Sequence, residues 1–201
     1  YYEIVKLFLN NIKIEDDIIK YTLQDGFINS CSNGHLKIAK LLFKIDPFLY
    51  TSDCTILHSF ENACFNCHYE LVKWFFEVKS SFNNQVINQF YDAFMYSFIN
   101  ACKNGYYEIV ELLFEETQEL DLDDDDMVEA MRKGFIVASE EGHLHILQFL
   151  YIIEVVNYTT FQNVYIDAFN NACEHGYLNI IDWLLYIKKE LFVNSNILKM
   201  D

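Results

Sequence analysis

A segment that recurs five times is the feature that most constrains what this chain can fold into. The copies read NSCSNGHLKIAKLLF, NACFNCHYELVKWFF, NACKNGYYEIVELLF, VASEEGHLHILQFLY and NACEHGYLNIIDWLL, and the opening YYEIVKLFL matches the second half of a sixth. The turn position of the copies falls at Gly34, Cys67, Gly105, Gly142 and Gly176, with spacings of 33, 38, 37 and 34 residues. A period near 33 residues is typical of helical solenoids, in which each unit buries its apolar face against its neighbours.

Each copy carries the apolar pattern of two helices joined by a tight turn. After the turn position, apolar residues recur at offsets of four, seven and eight, which places them on one face of a second helix. The residue seven before the turn is Phe27, Phe60, Phe98, Phe135 or Phe169, and the residue three before it is Cys31, Cys64, Cys102, Ser139 or Cys173. These two positions share one face of a first helix. We predict that the four cysteines are small buried hydrophobes with free thiols, which favours a reducing compartment.

The turn position is predicted to adopt a left-handed backbone conformation that ends the first helix. Glycine adopts this conformation without the Cβ penalty of roughly 1–2 kcal/mol that other residues bear. Cys67 bears that penalty in its copy. His35, His68 and His143 directly follow the turn. An imidazole at this point can hydrogen-bond to neighbouring backbone, so we expect the repeat histidines to tie successive repeats together.

The composition favours helices. The sequence has one proline and six glycines, few of the turn-forming residues that β-hairpins need. Its 52% hydrophobic residues allow a sizeable core. The second-helix pattern GH-L-x-I-V-x-L-L, the A-[A/C]-x-x-G end of the first helix and the period together resemble ankyrin repeats. Variants rich in Asn, Ile, Lys and Tyr are similar to ankyrin proteins encoded by giant DNA viruses of amoebae and by some protists. The resemblance implies an all-α, ankyrin-like α-solenoid of stacked helix-turn-helix repeats.

The chain departs from the ankyrin pattern at two points. The T-P-L-H opening is replaced by DGFI, HSFE, YSFI, KGFI and DAFN, and the G-A-D-V-N connection is absent, which argues against regular β-hairpin fingers. We expect one array over residues 1–201, with a partial repeat at 1–20 and repeats at 21–53, 54–86, 87–124, 125–158 and 159–201. Extra first-helix turns are predicted over FYDAFMYSF and DMVEAMRKGF, the latter capped by the last aspartates of DLDDDD. Because the chain starts within a repeat, we expect further repeats in the full-length protein.

The charge of the chain bears on its partner. Lys and Arg number 14 against 30 Asp and Glu, a formal net charge of −16. This charge repels phosphate backbones and removes the counterion release on which nucleic-acid binding depends, so nucleic acid is not expected as a partner. A protein with a basic surface fits better. No apolar run of the sequence reaches the roughly 18 residues of a membrane span, and the expected localisation is cytoplasmic (host cytoplasm or virion for a viral protein) or nuclear.

The stretch ACFNCHYE holds Cys64, Cys67 and His68 in the CxxCH spacing of covalent haem attachment. The repeat columns account for Cys64 and His68, so Cys67 alone is new to its copy. A zinc alternative would use Cys54, His58, Cys67 and His68, although the second pair of a standard zinc motif is missing. The favoured interpretation is a substituted turn glycine, with no cofactor and no metal.

The sequence contains no motif for catalysis, and we expect a binding protein rather than an enzyme. By resemblance to ankyrin repeats, contact residues are the pair before each turn and one position preceding the first-helix motif. These residues are Ser32, Asn33, Phe65, Asn66, Lys103, Asn104, Glu140, Glu141, Glu174 and His175, with Gln24, Leu57, Met95, Arg132 and Ile166. Phe65 is the most distinctive of them, because it is an aromatic residue at a position where the other copies have polar residues.

The leading hypothesis is a protein–protein interaction scaffold that binds a partner protein through the concave face and connectors of the solenoid. One alternative is a structural tier of a larger particle or multi-repeat assembly. The other is a metal- or haem-binding protein that uses Cys64, Cys67 and His68.

Overall fold

The computed structural model describes residues 2–11, 17–51, 54–82, 84–117, 124–154 and 158–197. Over these ranges the chain is helical and contains no strand, which confirms the predicted all-α class. The α-helices are α1 (Tyr2–Leu9), α2 (Asp17–Ser32), α3 (Leu36–Ile45), α4 (Pro47–Thr51), α5 (Thr55–Phe65), α6 (Tyr69–Val78), α7 (Asn84–Asn104), α8 (Tyr107–Thr117), α9 (Asp124–Glu140), α10 (Leu144–Glu154), α11 (Tyr158–His175) and α12 (Leu178–Ile197). Lys79–Ser81 form a 3-10 turn after α6.

The helices form two layers that follow the order of the chain. The first helices of the repeats, α2, α5, α7, α9 and α11, pack against one another in sequence, and each packs on the second helix of its own repeat. The second helices are α3, α6, α8, α10 and α12. Helix α1 packs against α3, and the short α4 packs on α2, α3 and α5. No helix among the described residues is both long and apolar enough to cross a membrane.

The predicted extra turns of two first helices are confirmed. Helix α7 has 21 residues and helix α9 has 17, so both are longer than α5, which has 11. The added length holds apolar residues that extend the buried face, as Val86 and Phe90 do at the start of α7. Helix α9 begins at Asp124, within the last aspartates of DLDDDD, as predicted, and the residue that precedes it lies outside the described ranges.

The turn between the two helices of a repeat is a Schellman motif. In the first complete repeat Gly34 has a φ of 74°, its N–H donates to the Cys31 carbonyl at 3.3 Å, and the N–H of His35 donates to the Ser30 carbonyl at 2.8 Å. The second of these bonds recurs in all five copies, with the carbonyls of Ser30, Ala63, Ala101, Ala138 and Ala172 as acceptors. Cys67 has a φ of 57°, so a non-glycine residue does adopt the left-handed conformation there.

Aromatic rings of one repeat cover the turn glycine of the repeat before it. His68 Nε2 donates to the Ser32 carbonyl at 3.0 Å, and His143 Nε2 donates to the Lys103 carbonyl at 3.0 Å. The pairs of ring and glycine are His68 on Gly34, His143 on Gly105 and Tyr177 on Gly142. The predicted tie between successive repeats is therefore confirmed for His68 and His143.

The phenylalanine column builds the core between the layers. Phe27, Phe60, Phe98 and Phe135 are all fully buried. The Phe60 ring contacts the rings of Phe75 in α6, at a centroid distance of 5.7 Å, and of Phe90 in α7, at 4.6 Å. Each such aromatic pair adds about 0.5–1.5 kcal/mol beyond the burial of apolar area. One side chain thus joins the two helices of its repeat to the first helix of the next.

The buried-cysteine prediction is confirmed for three residues and wrong for the fourth. Cys31, Cys64 and Cys102 are free and buried, and burial raises the pKa of the Cys31 thiol to about 12. Burial also raises the pKa of the Cys64 and Cys102 thiols. Cys173 is exposed. In the other copies the next first helix covers this column, whereas α11 has no following first helix among the described residues.

We expect Gly105→Ala to destabilise the protein more than Gly176→Ala. Both glycines have a positive φ, 76° and 75°, so each substitution costs about 1–2 kcal/mol of backbone strain. A Cβ at residue 105 would also lie 2.6 Å from Cε1 of His143, whereas a Cβ at residue 176 would meet nothing within 4 Å. Displacing the imidazole would cost its hydrogen bond, about 1 kcal/mol more. Urea unfolding followed by circular dichroism measures the difference, and equal losses would contradict the role of the ring.

We expect Tyr50→Phe to stabilise the protein. Tyr50 is fully buried, its ring stacks on Phe27 at 4.5 Å, and its hydroxyl has no hydrogen-bond partner among the residues that the structure describes. An unpaired buried hydroxyl costs about 1–3 kcal/mol, so its removal raises the free energy of unfolding. Tyr165→Phe is the matched control, because the Tyr165 hydroxyl donates to the Leu184 carbonyl at 2.9 Å and its loss costs about 1 kcal/mol. Opposite shifts in the unfolding midpoint are expected, and a midpoint lowered by Tyr50→Phe would refute the argument.

Candidate protein-interaction surface

One face of the first helices points away from the neighbouring first helices and from the second helices, and it is formed by columns of equivalent residues. The residue nine before the turn is exposed in every copy, and these residues are Asp25, His58, Tyr96, Lys133 and Asp167. Along the array the side chain at this position changes from a carboxylate to an imidazole, a phenol and an amine, and then to a carboxylate again. A column that is always exposed and rarely repeats its residue type is suited to contacts with a partner rather than to packing.

The structure exposes most of the predicted contact residues. The exposed ones are Asn33, Phe65, Asn66, Lys103, Asn104, Glu141, Ile166, Glu174 and His175, and the partly buried ones are Ser32, Gln24, Met95, Arg132 and Glu140. Leu57 is buried in the core, so little of its side chain is open to a partner. Its column, ten residues before the turn, lies one helical step of about 100° from the exposed column and points toward the neighbouring first helix. The exposed column nine before the turn was not predicted.

Several predicted contact residues already have structural hydrogen bonds. The side-chain amides of Asn33, Asn66 and Asn104 each donate to the backbone carbonyl four residues earlier, at 2.8, 2.9 and 2.8 Å. These bonds satisfy carbonyls at the end of each first helix. Gln24 donates to the Leu49 carbonyl at 3.0 Å and so joins α2 to α4. The asparagines beside the turn therefore have a capping role that is independent of any partner.

A groove runs between α5 and α7 on the exposed face and consists of two adjoining depressions. One depression, of about 300 Å³, is lined by Glu61, Asn62, Phe65, Tyr96, Ser97 and Asn100. The other, of about 390 Å³, is lined by Cys54, Leu57, His58, Glu61, Gln89, Asp92, Ala93 and Tyr96. Glu61 and Tyr96 line both depressions and mark the border between them. We call the two depressions together the α5–α7 groove.

Two aromatic side chains are exposed in the α5–α7 groove. Phe65 is 57% exposed on α5 and Tyr96 is 61% exposed on α7, although both types of side chain favour burial. They line the same depression, over a floor that includes the buried Ser97. Exposed aromatic residues that share one depression are typical of protein-binding surfaces, where they supply large contact areas with little loss of side-chain entropy.

The groove is also acidic. Burial raises the pKa of the Glu61 carboxyl group and outweighs the attraction to His58, which acts in the opposite direction. Asp92 is exposed on the facing helix. Lys and Arg are absent from the lining of both depressions. The structure thus leaves two carboxyl groups in one groove without a neighbouring ammonium or guanidinium group.

The structure separates the residues of the haem and zinc alternatives. Cys54 and His58 line the α5–α7 groove, whereas His68 lies at the turn and donates to the Ser32 carbonyl. Cys64 is 1% exposed and belongs to the core. Within the described ranges, no three His, Cys, Asp or Glu side chains are placed to hold one metal ion.

We expect Glu61→Gln to raise the stability of the protein at neutral pH and to leave it unchanged near pH 4. The folded state raises the Glu61 pKa, so it binds a proton more tightly than the unfolded state and loses stability as pH rises through the folded pKa. Glutamine removes this cost at pH 7, while at pH 4 the glutamate is itself largely protonated. Thermal unfolding at both pH values measures the effect. A larger stabilisation at pH 4 than at pH 7 would contradict the direction of the shift.

Comparison of the chain with models of protein families, with curated proteins and with solved structures found no match.

Proposed function

We propose that this protein is an ankyrin-type repeat scaffold that binds a partner protein through the exposed face of its first helices, with the α5–α7 groove as the centre of the contact. The observation that carries the proposal is the exposure of Phe65 and Tyr96 in one groove. The other described aromatic residues of α5 and α7, apart from the partly buried Tyr91, are buried, as Phe60 and Phe98 are, and the protein would gain by covering these two.

The ankyrin type of solenoid is supported by three features. Helix pairs stack in chain order, each turn has the left-handed residue expected at its end, and rings tie neighbouring repeats at two turns. Such arrays present an extended surface built from consecutive repeats. The changing residues of the exposed column give this surface a different chemistry at each repeat, which is what selective recognition needs.

We expect the double variant Phe65→Ala/Tyr96→Ala to lose its partner. Truncation of aromatic anchors in a desolvated contact typically costs 2 kcal/mol or more, so affinity should fall at least about tenfold. The measurement is quantitative affinity purification from source cells with equal amounts of variant and unaltered protein, scored by mass spectrometry. The matched control is Phe48→Ala/Tyr186→Ala, since these side chains are 71% and 61% exposed but do not line the groove. Proteins retained equally by both double variants would overturn the proposal.

A structural tier in a larger assembly is a second candidate, supported by apolar side chains exposed at both ends of the array. Ile4 and Leu7 of α1 are 68% and 66% exposed, and Leu178 of α12 is 71% exposed. Sedimentation velocity at increasing protein concentration tests this candidate. Association that Leu7→Glu or Leu178→Glu abolishes, and that Phe65→Ala/Tyr96→Ala leaves unchanged, would favour the assembly function over the groove.

A further inference from the structure

We propose that the α5–α7 groove binds an extended peptide segment of its partner that places a Lys or Arg side chain next to an apolar side chain. This inference rests on the proposed function and adds the chemistry of the partner. The two depressions of the groove differ in character, and each matches one of these two side chains.

The depression near the end of α5 suits the apolar side chain. Phe65 and Tyr96 supply two exposed ring faces, and no ionisable group except Glu61 and Tyr96 lines it. The floor residue Ser97 is 2% exposed, so an inserted side chain would rest on the packed interior of the array. Its binding would gain free energy in proportion to the apolar area that it covers.

The depression near the start of α5 suits the cation. Glu61 and Asp92 approach it from opposite helices, and Tyr96 presents an exposed ring beside them. A guanidinium group can bond carboxylates and stack on an aromatic face at the same time, and an ammonium group can do the same less directionally. Among the described residues, Glu61 and Asp92 take part in no ion pair within 4 Å. Their one cationic-type neighbour in the depression is the His58 imidazole, which is attracted to Glu61.

The length and the polar lining of the groove favour an extended segment. The eleven steps from Cys54 to Phe65 along α5 span about 16 Å at the helical rise, which is the length of about five extended residues. The side-chain amides of Asn62 and Gln89 line opposite ends of the groove. Amides both donate and accept, so they can satisfy the backbone groups that an extended segment leaves unpaired.

Selection of a random heptapeptide phage library on the full chain tests the inference. We expect enriched peptides to contain Lys or Arg beside an apolar residue. A synthetic peptide of the enriched sequence should bind about tenfold more weakly to Glu61→Gln/Asp92→Asn, because the cation loses its charge-assisted bonds. Replacement of the peptide arginine by neutral citrulline should have the same effect on the unaltered protein. Fluorescence anisotropy at fixed ionic strength measures both changes.

The control variant is Glu70→Gln/Asp182→Asn, which removes the same charge from two exposed sites on second helices, outside the groove, and should leave affinity within about twofold. Basic peptides that bind both charge variants equally would overturn the inference, because general attraction to a chain of charge −16 would explain them. Enriched peptides without a basic residue that still need Phe65 and Tyr96 would overturn the cationic partner and leave the proposed function standing. Enriched peptides that ignore Phe65→Ala/Tyr96→Ala would count against both.

Discussion

The arrangement of the helices depends on the residue that follows each turn, as His68 illustrates. Its N–H donates to the Ala63 carbonyl at 2.9 Å and ends α5, and its carbonyl accepts from the N–H of Leu71 at 2.9 Å and starts α6. Its ring covers Gly34 and donates to the Ser32 carbonyl of the preceding repeat. One residue thus fixes the turn, the second helix and the position of its repeat on the previous one. The residue before each cysteine or serine of the first-helix column is small, and small side chains allow adjacent helices to approach closely. These residues are Ser30, Ala63, Ala101, Ala138 and Ala172.

The exposed surface follows from this packing. Each of the inner first helices α5, α7 and α9 is covered by two neighbouring first helices and by its own second helix, so a single stripe remains open to solvent. On α5 and α7 that stripe carries Phe65 and Tyr96, where the corresponding positions on α9 are Glu140 and Lys133. The α5–α7 groove is therefore a local feature of two repeats on a regular framework. Burial raises the pKa of the Glu61 carboxyl group, so its ionised form reduces stability at neutral pH.

Much of the fold could be predicted from the sequence because one segment recurs five times and its copies can be compared position by position. The left-handed turn at Cys67 and the hydrogen-bonding histidines both follow from comparing five copies of one segment, and both are confirmed. The burial of Leu57 and the exposure of Cys173 could not be predicted in this way. Helical periodicity shows which residues share a face of a helix, but it does not give the rotation of the helix against its neighbour to within one residue. A column is also buried only where a following helix covers it.

Of the two exposed aromatic residues in the α5–α7 groove, the sequence predicted one. Phe65 stands out in its column because the other copies have polar residues there, but Tyr96 lies in a column with four residue types among five members, so no single member is conspicuous. Only the packing of α5 beside α7 brings these two rings, Glu61 and Asp92 into one groove. The signal that could have found the column was its variability, since positions that pack against a regular neighbour keep their residue type.

The imidazole ties have a consequence for how a substitution in one repeat affects the repeats beside it. In each tie a ring N–H donates to a backbone carbonyl of the preceding repeat. Because the acceptor is backbone, the tie does not depend on which side chains the preceding repeat carries. The residues of the exposed column can therefore differ between repeats while these two joints keep their hydrogen bonds. The chemistry of the exposed face can vary from repeat to repeat on a framework whose spacing stays the same.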